Sequence, residues 1–105
     1  MVAAVTAVFG SVSTLAQAGQ PTPVYNIDAC TLNGSTTVSW GNFHAKDIQF
    51  SWLNGTTQVG FYDLSVKGGK SPVSEPTPSG ADNVFVEWIF PGNLAGNVHT
   101  TAACS

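Results

Sequence analysis

Along most of the chain, apolar and polar residues alternate with a period of two, in short runs separated by Gly, Pro and Asn. Thr36-Thr37-Val38-Ser39-Trp40 places Val38 and Trp40 on one face, and Ile48-Gln49-Phe50-Ser51-Trp52 does the same for Ile48, Phe50 and Trp52. Successive side chains of a strand point to opposite faces, so each run predicts a strand with one face in a core. Asn54-Gly55 follows immediately and an extended pattern resumes from Thr57 to Val66, which predicts a hairpin over 48–66 closed by a short Asn-Gly turn. Around Phe61-Tyr62 the apolar parity switches faces, which predicts a bulge or burial on both faces.

The rest of the chain from residue 24 follows the same grammar. Residues 24–32 supply Val24, Tyr25, Ile27, Cys30 and Leu32, read as one or two short strands before the Asn33-Gly34 turn. Residues 83–90 are the most apolar run, interrupted only by Glu87, and predict a central strand whose Val84, Val86 and Trp88 form the core with Trp40 and Trp52. A last strand spans 96–103 and leads to Cys104. Residues 67–83 carry Gly68-Gly69, Pro72, Pro76, Pro78 and Gly80 among polar residues and read as the longest loop. A long exposed loop stiffened by prolines presents side chains at a reduced ordering cost, so Lys67, Lys70, Glu75 and Asp82 are candidate recognition residues, with a plain connector as the bland alternative. No repeat and no amphipathic helix follows residue 18. The expectation is an all-β domain, a small antiparallel sandwich or barrel of about six strands.

The first residues differ in kind. Val2 to Val12 are apolar and rich in Ala and Val, and Ala16-Gln17-Ala18 gives a small-x-small pattern before Gly19. This reads as a secretory signal cleaved after Ala18, although no Lys or Arg precedes its apolar stretch. The stretch is too short and interrupted for a membrane span, which needs about 20 apolar residues. The expected organisation is therefore a signal peptide or apolar helix over 1–18 and a single β domain over 19–105, secreted, with no stable span after signal removal. Gly19-Gln20-Pro21-Thr22-Pro23 is a leader that cannot hold a helix.

In a secreted chain the two cysteines, Cys30 and Cys104, predict a bridge rather than a redox or zinc site, since no Cys-x-x-Cys spacing exists. Charged residues are only 9% of the chain and the net charge is −3, with no arginine, so nothing here neutralises phosphates and nucleic acid is a poor partner. No hydrolase elbow, zinc helix or phosphate loop is present. His44 with Asp47 reads as a solvated pair in a turn, His99 as a surface or edge histidine, and Glu75 and Glu87 are the only glutamates for any paired-carboxylate chemistry. No catalytic residue, metal or cofactor is assigned. Trp40, Phe43, Trp52, Tyr62 and Trp88 suit core packing by their parity, with a sugar-stacking face as the alternative. Asn33-Gly34-Ser35 and Asn54-Gly55-Thr56 fit the N-glycosylation acceptor pattern and fall in predicted turns, which makes Asn33 and Asn54 candidate glycosylation sites.

Three resemblances bear on this reading. The order Cys30, Trp40, Cys104 resembles that of immunoglobulin domains, but Ala102 stands where that family has Tyr and one residue follows Cys104, so the sandwich is retained and membership is not. Residues 2–14 look like the later part of the helix in small Flp-type pilins. In its short signal, Pro-containing leader, few charges, two acceptor triplets and two cysteines, the whole chain is similar in style to small secreted proteins of fungi. That likeness implies a non-enzymatic extracellular protein that acts by binding an unknown protein or glycan, effector-like or immunomodulatory. The alternatives are a structural subunit of a surface filament and a carbohydrate-binding module.

Overall fold

In the computed structural model, residues 22–66, 69–91 and 97–105 are described. Their strands are β1 (Val24–Cys30), β2 (Ser35–Gly41), β3 (Asp47–Asn54), β4 (Thr57–Ser65), β5 (Val73–Pro76), β6 (Asn83–Ile89) and β7 (Val98–Ala103). They form two antiparallel sheets, a three-stranded one in the order β1-β2-β5 and a four-stranded one in the order β4-β3-β6-β7. The expected signal segment, 1–18, lies outside the described residues, as do Lys67, Gly68 and the expected start of the last strand at Gly96.

Alternation places the core where the sequence puts it. Ile48, Phe50 and Trp52 of β3 and Val84, Val86 and Trp88 of β6 are all buried on one face of the larger sheet, against Val38, Thr36 and Cys30 of the smaller. Phe50 and Trp52 stack with ring centroids 5.3 Å apart, and Tyr25 of β1 meets Trp88 at 5.5 Å. The second contact, with the shared core, joins the two sheets face to face. Trp40 is half-buried at the margin of the same cluster.

The hairpin closes through Gly55-Thr56, with Asn54 opposite Thr57 and Gly55 at φ +62°, a left-handed backbone that glycine adopts without strain. A bulge is present, but before the expected place: Leu53 faces Gln58 and Trp52 faces Gly60, so Val59 is the extra residue, while Phe61 and Tyr62, where the parity switches, pair regularly and are exposed on opposite faces. The bulge returns Gly60 and Leu64 to the inner face. A Cβ on Gly60 would lie 2.6 Å from Pro78 Cγ and 3.3 Å from Trp52 Cε3, so the proline ring fills the space a side chain would need.

One expectation is overturned. Residues 67–83 are not a single loop, because Val73–Pro76 pairs with Ser35–Val38 as β5 and completes the smaller sheet. Pro72 and Pro76 flank or end the strand, where a missing N–H costs least at a sheet edge. The pattern hides β5 because it is four residues long, too short for alternation to register against its prolines.

Candidate functional site

Strand β5 splits the expected recognition loop between opposite ends of the molecule. Residues 69–72 lie at the far end, where Ser71 Oγ accepts from Trp40 N at 2.8 Å, and Lys70 is exposed there. Glu75 is half-buried on β5 opposite Thr36, and Asp82 stands at the other end, before β6. Lys67 lies outside the described residues. The three described charged candidates therefore do not form one surface.

The end that holds Asp82 also holds both predicted glycosylation turns. The β1–β2 turn with Asn33 (φ +59°), the β3–β4 turn with Asn54, and the β5–β6 connection surround a depression of about 310 Å³. Its walls are Leu32, Asn33, Asn54 and the segment from Pro78 to Asp82. The Asp82 carboxylate accepts from Gly55 N through both oxygens at 3.1 Å and from Asn83 Nδ2 at 2.5 Å. Asn54 Nδ2 donates to the Gly80 carbonyl at 2.7 Å. Asp82 and Asn54 thus tie the two connections together, and the role of Asp82 is to hold the site's shape.

Beneath the depression the base is covalent and hydrogen-bonded. Cys30, at the end of β1, is joined to Cys104, just past β7, so the disulfide links the two sheets across a sequence separation of 74. The buried Thr36 hydroxyl lies 2.8 Å from Trp52 Nε1, 2.9 Å from Thr77 Oγ1 and 3.3 Å from Cys30 Sγ. The indole N–H can only donate and a disulfide sulfur can only accept. One assignment satisfies all four groups: Thr36 accepts from Trp52 and from Thr77, and gives its proton to the sulfur. Backbone bonds close the end, with Thr77 N donating to Gly34 O, Asp82 N to Leu53 O, and Leu32 N to Ser105 O.

Two of the five aromatic residues weighed for a sugar-stacking face are packed inside. Trp52 and Trp88 are 3% and 0% exposed and belong to the core. Tyr62 is exposed on the edge strand β4, and Phe43 packs against Phe90 at 5.3 Å. On the outer face of the larger sheet, Glu87 is half-buried opposite Gln49 and His99, and His99, on the edge strand β7, stacks on Phe85 at 5.2 Å. His44 is exposed in the β2–β3 connection. Among the described residues, no three His, Cys, Asp or Glu side chains gather where a metal ion would be held.

Leu32, Pro78, Ser79, Gly80 and Ala81 belong to the depression and were not legible as site residues, since their convergence depends on the pairing of β5 with β2. The only signal in the chain was the presence of turn residues at 33–34, 54–55 and 78–80. No protein family, curated protein or solved structure matches the chain.

Proposed function

We propose that this chain is a small secreted, non-enzymatic protein that acts by binding, effector-like or immunomodulatory, through the end of the sandwich that carries Asn33, Asn54 and the segment from Pro78 to Asp82. The observation that carries the reading is the convergence of connections from both sheets around one depression, on a base fixed by the disulfide and the Thr36 hydrogen bonds. Loops held by a rigid scaffold are where recognition concentrates, because the partner then orders little of the chain on binding. The rim offers amide and hydroxyl groups from Asn33, Asn54 and Ser79 beside the apolar Leu32 and Pro78, a mixture suited to a protein or glycan surface. Sugars added at Asn33 or Asn54 would stand on this rim and control access to it. The intact mass of the secreted protein before and after glycosidase treatment reads their presence.

The test uses labelled protein applied to a panel of animal and plant cell surfaces and to a glycan array. Ser79→Trp fills the depression from an exposed position and should abolish whatever binding the unaltered protein shows, with an unchanged melting midpoint. Binding that survives this substitution, or none to any surface in the panel, contradicts the reading.

A further inference from the structure

Strand β4 differs from the other sheet edges. Among the described residues, three of the five exposed large hydrophobic residues lie on it: Val59, Phe61 and Tyr62, at 38%, 51% and 45%. It is also the longest described strand, with nine residues, and among the described residues its outer edge offers unpaired backbone N–H and C=O groups. The other edges carry protection. In β1, the extra residue of the bulge is the charged Asp28, whose carboxylate binds Ser39 and Asn26, whereas the bulge of β4 carries the apolar Val59. Strand β5 is four residues long and ends on Pro76, and the exposed residues of β7 are His99, Thr101 and Ala103. Strand β4 has no Lys, Arg or Pro, and its one charge is Asp63.

We propose that two copies of the chain pair through β4, antiparallel about Phe61, so that the two larger sheets become one continuous sheet. This does not depend on the recognition reading above. In such a pair, residues directly opposite each other share a face, so the two-fold axis passes beside a single residue. With the axis at Phe61, the two Phe61 rings form a cross-strand aromatic pair and Asp63 falls opposite Val59 of the second copy. Tyr62 falls opposite the second copy's Gly60, where an aromatic ring shields an edge glycine and meets Pro78, which already covers Gly60. The two Asp63 carboxylates stand four residues apart along the strand, about 13 Å, beyond the screening length of about 8 Å at physiological salt. An axis at Asp63 would instead set the carboxylates against each other, and an axis at Tyr62 would set Phe61 against a carboxylate. Charge and ring placement thus favour the axis at Phe61 over those at Tyr62 and Asp63, and the bulge at Val59 leaves Gly60, Phe61 and Tyr62 in regular pairing geometry about it.

Sedimentation equilibrium of the full chain tests the pairing. The expected result is a reversible dimer that Phe61→Lys weakens by about ten-fold or more, through a lost aromatic pair and a new like-charge pair, at an unchanged melting midpoint. Thr101→Lys on the opposite edge of the same sheet should leave the dimer intact. Phe61→Cys should form an intermolecular disulfide in air with Cys30–Cys104 preserved, and Asp63→Cys should not. A chain that stays monomeric up to about 1 mM, a dimer indifferent to Phe61→Lys, or cross-linking at residue 63 in place of 61 would overturn the proposal.

Discussion

Trp52 and Trp88 stand on adjacent strands, both inward, both almost without exposure, yet their indole N–H groups meet different fates. Trp52 Nε1 donates to Thr36 across the sheets at the disulfide end, whereas Trp88 Nε1, among the described residues, has no partner. Around Trp88 the far end is held by apolar and aromatic contact, with Tyr25 against Trp88 and Phe43 against Phe90. The difference separates two ways of joining sheets. One end is held by a covalent bond and directional hydrogen bonds, which fix geometry, and the other by packing, which fixes mainly area and volume.

Four perturbations sharpen that contrast. The largest effect is expected from reducing Cys30–Cys104: releasing a loop closed across a sequence separation of 74 should cost about 4–5 kcal/mol in the chain-entropy model, comparable with the whole stability of many small domains. Denaturant melts with and without reductant measure it, and an unchanged midpoint would contradict the role given to the bridge. Next, Trp88→Ala should cost about 3–5 kcal/mol by leaving a cavity at the far end, while Trp88→Phe, which keeps a ring in the core, should cost well under half as much. Equal losses for the two variants would show that ring packing is not what holds the far end.

Thr36→Val keeps the shape of the disulfide end and deletes its shared acceptor, leaving Trp52 Nε1 and Thr77 Oγ1 without their partner. A loss of about 1–3 kcal/mol is expected, and Trp52→Phe should cost less in that background than in the unaltered protein. Additive losses in that double-mutant cycle would mean the two side chains are not coupled. The smallest effect is expected at the rim, where Asp82→Ala removes the acceptor for Gly55 N and should cost about 1 kcal/mol in thermal melts, with more rapid exchange at the Gly55 amide.

Much of the fold was legible because buried faces leave a period-two record in the sequence. The run from Ile48 to Trp52, the Asn-Gly turn and the run around Trp88 are all read this way, and the Cys30–Cys104 bridge is the pairing expected of the chain's two cysteines. Strand β5 was not legible, since four residues give two inward positions and its pairing with β2 is decided by contacts 35 to 41 residues away in the chain. That one omission also concealed the candidate site, because β5 is what carries Pro78 to Asp82 over the turns at Asn33 and Asn54 and leaves Lys70 at the opposite end. The role of Thr36 was equally hidden: its parity marks an inward position, but only the packed sheets show three partners converging on one hydroxyl.

The claim that the disulfide end is the rigid platform of the molecule is tested most directly by amide hydrogen exchange, compared between the oxidised and reduced protein. The amides of Leu32, Thr77, Asp82 and Cys104 bond to carbonyls at that end, while Val66 and Gly69 do so at the far end. In the oxidised protein the first group is predicted to exchange only through global unfolding and more slowly than the second, and reduction should bring the two groups together. Exchange of Thr77 and Asp82 as fast as that of Val66 and Gly69 while the disulfide is intact would contradict the account.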